Sequence, residues 1–399
     1  MQTTYSLPIS KQESILQNSI RDGVKLSDVL ETFSLSYDDL RYRHNQSIPR
    51  TLTTYQKINN TETKQNGIPT VSFFSGAGGL DLGFESAGFQ HLASFEINEL
   101  FCKTLKYNRP DWNIFGPPNS SGDLRNREEV ADILRNQLGL KPPFNGVFHG
   151  GPPCQPFSIA ANQRFSKSGD NFKRVGYAHE ETGNLLFDYI WQIQMFKPAI
   201  FLIENVPGLK TLDNGEQLTK AITALQKYGY TVAKPTFLNA RNFGVPQSRL
   251  RIFIVGWRNQ KRHFCYPSED LLEVPSYSAL LDVDSLPNHI TRKHKAKSIL
   301  RYMELEYGQR DKRGRVDRLD PSLPSKTVIA GGNGGGGRSH LHPYIPRTLS
   351  PRESARLQTF PDDYIFCGSP ARQLTQVGNA VPPLLGKKIA DAIYEYLFA

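Results

Sequence analysis

Cysteine is scarce in this sequence. Four occur in 399 residues (Cys102, Cys154, Cys265 and Cys367), and no two form a C-x-x-C pair. That spacing argues against a structural zinc site and against a disulfide framework, so no metal is expected. Long apolar runs are also missing, and none approaches the length of a membrane span. The opening Met-Gln-Thr-Thr-Tyr lacks the basic and apolar stretches of a secretory signal, so a cytoplasmic protein is expected. Acidic residues fall short of basic ones, 38 against 48, leaving a formal charge of +10. A surplus of that size points to a polyanionic partner, nucleic acid foremost. Apolar residues at 38% and aromatics at 11% suffice for packed cores, which excludes whole-chain disorder. The length implies more than one lobe.

Residues 1–67 read as an N-terminal extension. Leu26 to Thr32 and Ser36 to His44 both have helical spacing around Phe33-Ser34-Leu35, so a helix-turn-helix and a plain docking helix pair are both open. The polar run Asn59 to Gly67 reads as a linker. From Ile68 short apolar runs alternate with amphipathic segments. Thr70–Phe74, Ala93–Glu96, Gly146–His149, Ala199–Glu204 and Ile252–Val255 are expected as strands. Leu100–Tyr107, Glu128–Gln137 and Leu185–Phe196 are expected as helices. This alternation predicts an α/β fold with a mostly parallel sheet and ligands at the strands' carboxyl ends. Residues 257–345, rich in Pro, His and basic side chains, break the pattern and are expected as a smaller second domain. Residues 346–399 are expected to return to the first, with helices at Ser350–Leu357 and Pro382–Leu397.

Four constellations carry chemistry. Val71-Ser-Phe-Phe-Ser-Gly76-Ala-Gly78-Gly79-Leu-Asp81 is a strand running into a glycine turn that opens a helix. Glu96, about twenty residues on, suits the two hydroxyls of a ribose, and Asp123, at the next apparent strand end, can accept from an adenine amino group. His149-Gly150-Gly151-Pro152-Pro153-Cys154-Gln155-Pro156-Phe157-Ser158 holds one thiol in a stiff loop, as a preorganised nucleophile requires. Glu204, ending the apolar Phe201-Leu-Ile, is placed for a raised pKa and proton donation. Arg249 and Arg251 alternate at the start of a strand and face one side.

Taken in order, and with Ser350 to Asp362 and Gln376-Val377-Gly378-Asn379-Ala380-Val381-Pro382-Pro383, these segments resemble the cytosine-C5 DNA methyltransferase family, of the bacterial restriction-modification type. The resemblance runs from about Ile68 to the C-terminus. It implies a Rossmann-like fold binding S-adenosylmethionine, with Phe74, Gly76, Gly78, Glu96, Ile97, Asp123, Pro153, Asn379 and Val381 around the cofactor. Many relatives carry an aromatic residue where Ile97 stands. It implies Cys154 as the nucleophile on carbon 6 of a flipped cytosine, Glu204 as proton donor to nitrogen 3, Asn205 holding the Glu204 loop, and Arg251 with Arg249 as stabilisers of the adduct. Gln155, Ser158 and Thr327 are implied to contact DNA. Residues 257–345 match the family's target-recognition region, and Thr291–Arg318 within it carries 10 basic and 4 acidic residues, or +6. Arg352 to Gln358 are expected to be architectural.

The implied partners are double-stranded DNA, bound by a monomer with no membrane, and a cognate restriction endonuclease in function. An RNA cytosine methyltransferase of the same lineage and a DNA-binding regulator are the alternatives.

Overall fold

The computed structural model describes residues 7–45, 67–153, 185–259, 261–270, 273–330 and 340–398, which form two compact units. The larger comprises residues 67–243, 249–270 and 380–398, and the smaller residues 7–45, 244–248 and 273–379.

The larger unit is built on eight strands: β1 Pro69–Phe73, β2 Gln90–Phe95, β3 Ile114–Phe115, β4 Val147–Gly150, β5 Ile200–Asn205, β6 Thr231–Val232, β7 Thr236–Asn239 and β8 Leu250–Trp257. The order is β3-β2-β1-β4-β5-β8-β6, with β7 also on β8. The five expected strands lie within β1, β2, β4, β5 and β8 to within two or three residues. Their apolar, β-branched composition reflects burial on both faces, as parallel strands require. β1 to β5 are mutually parallel, and β8 runs antiparallel to β5. The order reverses between β1 and β4. In such sheets the carboxyl ends at the reversal form the natural ligand crevice. Phe73 at the end of β1 stacks on Phe95 of β2 at 5.4 Å, so an aromatic layer underpins that edge.

The glycine turn after β1 opens the helix Gly79–Ser86, which packs on the C-terminal helix Pro383–Phe398. Contact is backbone to backbone. A Cβ on Gly83 would lie 2.5 Å from the Gly386 carbonyl carbon, and one on Gly79 would overlap the Val381 carbonyl oxygen.

The second domain starts later than expected. Trp257 closes β8 opposite Ile200, and residues 258–270 stay with the larger unit. Arg262 Nη1 donates to Tyr396 O at 3.0 Å and Leu397 O at 2.7 Å, and Lys388 pairs with Asp270 at 3.1 Å. The return also comes later. Helices Pro351–Leu357 and Pro370–Asn379 belong to the smaller unit, and only residues 380–398 rejoin the larger.

The N-terminal extension is no separate appendage. Helices Ile9–Arg21 and Leu26–Thr32 put Ile15, Leu16, Leu26 and Leu30 into one core with Ile299, Met303 and Val316. The helix expected at Ser36–His44 does not form. Ser36 and Asp39 close a capping box on a single 3₁₀ turn, Tyr37–Asp39, and the chain then runs extended, burying Leu40 and Tyr42 alternately. The unit's own sheet is small, with β9 Arg310–Asp311, β10 Val316–Arg318 and β11 His340–Leu341.

Candidate active site

The carboxyl ends of β1, β2, β4 and β5 lie side by side around the reversal. From β1, Phe74 adopts φ 56° and Gly76 φ 58°, so the chain turns back and presents backbone amides. Gly76 N–H donates to Glu96 Oε2 at 2.7 Å, and Asn98 N–H donates to Oε1 at 2.8 Å. Glu96 is therefore fixed by both oxygens at the end of β2, and each oxygen keeps a further lone pair. Burial raises its pKa, against these two amide bonds. Ile97, the next residue, is 54% exposed, an aliphatic face with open space above it. The position a Cβ would take on Gly76 is likewise open, with nothing within 4 Å.

Asp123 arrives by a different route from the one expected. β3 ends at Phe115, and the loop 116–122 folds over the Glu96 carbonyl so closely that neither Gly116 nor Gly122 has room for a Cβ. Asp123 follows directly on Gly122. Its carboxylate is bound by Arg125, 2.7 Å away, and the pairing outweighs burial to lower its pKa.

β4 ends at Gly150 and leads through Gly151, Pro152 and the exposed Pro153 toward Cys154. Cys154, Gln155 and Ser158 lie outside the described residues. The loop's start is held from β5. Asn205 Nδ2 donates to Pro152 O at 3.3 Å, and its Oδ1 accepts from Val206 N–H at 2.8 Å. Glu204 Oε2 lies 2.8 Å from where a Gly151 Cβ would stand. A larger residue there would force the carboxylate or the loop to shift.

Glu204 is mostly buried and pairs with Arg251 of β8, Nε to Oε1 at 3.0 Å. Burial raises the Glu204 pKa, and Arg251 and Arg249 oppose that shift without cancelling it. Arg249 is 1% exposed, and its N–H donates to Asn239 Oδ1 of β7 at 2.9 Å. Burial and the charge of Arg251 both weaken its hold on a proton. Both arginines thus act electrostatically on Glu204. His149 is no proton carrier near neutrality. It is buried, stacked on Phe84 at 4.1 Å, and burial brings its pKa down to about 3. Burial likewise pushes the Cys102 thiol up to about 12.

Val381 is buried in the larger unit. Asn379 is exposed at the end of Pro370–Asn379, and Thr327 donates its hydroxyl to Ser248 O at 2.8 Å, both within the smaller unit. There Arg352 is fully buried, giving hydrogen bonds to the carbonyls of Pro287, Pro361 and Tyr364, which makes it architectural. Sequence reasoning missed Gly151 and Asn239 as supports of the site. The first was legible only as one glycine among several, and the second has no local signature.

A family model described as C-5 cytosine-specific DNA methylase matches residues 68–395. The chain belongs to that family. This methylase is 31% identical over 364 residues to Type II methyltransferase M.PspPI of Psychrobacter sp. (strain TA137), covering 82% of this chain and 79% of the relative. It is 30% identical over 416 residues to Type II methyltransferase M.Sau96I of Staphylococcus aureus, covering 94% and 88%. A prophage-encoded DNA modification methyltransferase (E. coli) superposes with a TM-score of 0.69 at 22% identity, over 84% of this chain and all of that one. Entamoeba histolytica methyltransferase EhMeth superposes with a TM-score of 0.58 at 16% identity, over 84% and 98%. Both share the fold. The chain is a DNA cytosine methyltransferase. Among the described residues, no helix is long and apolar enough to cross a membrane.

Proposed function

We propose that this methylase modifies carbon 5 of a cytosine flipped out of a short specific duplex sequence, through a covalent adduct with Cys154, as the modification half of a restriction–modification system. The observation that carries the reading is the Gly151–Glu204–Arg251 contact. It brings a carboxyl group with a raised pKa against Gly151, at the start of the loop that leads to Cys154.

Carbon 5 of cytosine is a poor nucleophile, and the base must first leave the stack to be reached. The Cys154 thiolate adds at carbon 6 while Glu204 gives its proton to nitrogen 3, so carbon 5 becomes enamine-like. Burial keeps Glu204 protonated closer to neutrality than an exposed carboxyl group, and Arg251, 3.0 Å away, stabilises the carboxylate left behind. Once carbon 5 carries the methyl group, a base takes its proton, the carbon 6–sulfur bond breaks to release the thiolate, and nitrogen 3 returns its proton to Glu204. Preorganised charge of this kind accelerates only what it binds more tightly in the adduct than in the ground state.

The residues present fit S-adenosylmethionine. Glu96, with both oxygens oriented by amides, would hold the ribose hydroxyls, the exposed Ile97 would pack on the adenine, and the open Gly76 turn would admit the amino-acid end. When bound, this cofactor supplies the electrophilic methyl group that activated carbon 5 accepts. Asp123, Phe74, Gly78, Pro153, Asn379 and Val381 complete the proposed set. Thr327, Gln155 and Ser158 are proposed to meet DNA.

Radiolabelled S-adenosylmethionine offered with either duplex DNA or transfer RNA tests the reading. Label in 5-methylcytosine of the duplex is expected, and label in RNA alone would reject it.

A further inference from the structure

We infer that residues 7–45, which the family model leaves outside its match, are a working part of the recognition unit: they anchor the β9–β10 hairpin, whose tip offers Lys312, Arg313 and Arg315 to the DNA backbone. The inference rests on the DNA reading above.

The anchor is the guanidinium of Arg318, the last residue of β10, which is fully buried. It lies 3.6 Å from the centre of the Tyr42 ring and 4.0 Å from that of Tyr307. Its Nη1 donates to His44 O at 2.9 Å, and its Nη2 donates to Asn45 Oδ1 at 2.8 Å. Arg43 N–H donates to Met303 O at 3.0 Å, in the core shared with Val316 of β10. Arg318 Nε also donates to Pro343 O at 2.9 Å and Nη1 to Leu305 O at 2.6 Å, so this end of the hairpin is held jointly by the N-terminal segment and by loops of the same unit.

The other end is a turn stiffened from within. Asp311 Oδ2 accepts from Gly314 N–H at 2.6 Å, and Arg310 pairs across the strands with Asp317 at 3.2 Å. Lys312, Arg313 and Arg315 between them are exposed, and none has an ion-pair partner among the described residues. By contrast the flanking cations Arg301, Arg310 and Arg318 are all committed to protein partners. Three unpaired cations on a rigid tip match a row of phosphates, and counterion release makes their contribution measurable through salt.

The experiment uses the full chain and measures duplex affinity as a function of salt, with cofactor affinity and thermal melting alongside. Each lost phosphate contact lowers the slope of log K against log salt by about 0.9. Replacing Lys312, Arg313 and Arg315 together by Ala is expected to lower the slope by about 2–3. Tyr42→Leu removes no charge yet is expected to lower it too, whereas Tyr42→Phe keeps the ring and should hold the wild-type slope. Asn45→Ala gives a milder version should Tyr42→Leu fold poorly. Combining Tyr42→Leu with the tip substitutions should add little to either alone, because both remove the same contacts. Cofactor affinity should not move. A wild-type slope in the tip variant, or fully multiplicative losses in the combination, would overturn the inference while leaving methyl transfer to DNA standing. A wild-type chain that binds no duplex at all would reject both readings.

Discussion

Gly151→Ala tests the coupling between the Cys154 loop and Glu204 at a single atom. The new methyl carbon would sit 2.8 Å from Glu204 Oε2, closer than side-chain carbons are found to approach oxygen. The carboxylate cannot simply swing aside, since Arg251 holds its other oxygen at 3.0 Å and Asn205 ties the loop to the next residue of the same strand. Relief requires loosening that ion pair or displacing the loop. Overpacking of this kind costs about 1–3 kcal/mol, comparable to one charge-assisted hydrogen bond. At about 1.4 kcal/mol per tenfold, kcat/KM for DNA should fall by about 5- to 150-fold. Affinity for S-adenosylmethionine should fall less than kcat/KM, because Glu96 and Ile97 follow a different strand and only Pro153 of the proposed cofactor set lies on this loop. Steady-state methylation with cofactor affinity by calorimetry gives both numbers. In a Glu204→Ala background the same substitution should cost little further. Wild-type kcat/KM in Gly151→Ala, or an equal loss in both backgrounds, would refute the coupling.

Other consequences are open to measurement. Glu96→Ala removes the acceptor of two amides and should weaken cofactor binding at least tenfold by calorimetry, with DNA affinity kept. Ile97→Phe enlarges an exposed platform and should tighten cofactor binding by about 2- to 12-fold, the worth of an added ring contact, without changing the melting temperature. Glu353 is buried beside the equally buried Arg347. Burial alone would raise its pKa, but Arg347 holds it down to about 2. A depressed pKa gives stability that is complete above the unfolded value near about 4.3 and lost as pH falls through about 2. Glu353→Ala, which leaves Arg347 with Asp38 as its carboxylate partner, should cost at most about 3–5 kcal/mol in denaturant melts at neutral pH, and that deficit should shrink between pH about 4.5 and 2.

Much of the larger unit was legible because strand, glycine turn and helix are local patterns. The five expected strands share a sheet, and Glu96, Glu204 and Arg251 stand at the ends where their neighbours place them. The parts that escaped depend on contacts distant in sequence. The loop leading to Asp123 lies over the Glu96 carbonyl only because Gly116 and Gly122 carry no Cβ. The second-domain boundary at Trp257 failed because Arg262 and Asp270 find partners on the C-terminal helix more than a hundred residues later. The expected helix at Ser36–His44 failed because Tyr42 serves Arg318, about 270 residues away, better from an extended chain than from a helix. The near-neutral charge of the extension gave no hint of that role.

The central claim is covalent activation by Cys154, and Cys154→Ser tests it most directly. Single-turnover methylation of duplex DNA should fall to background in that variant, with binding of S-adenosylmethionine and of DNA retained. Formation of 5-methylcytosine by Cys154→Ser at the wild-type rate would contradict the account.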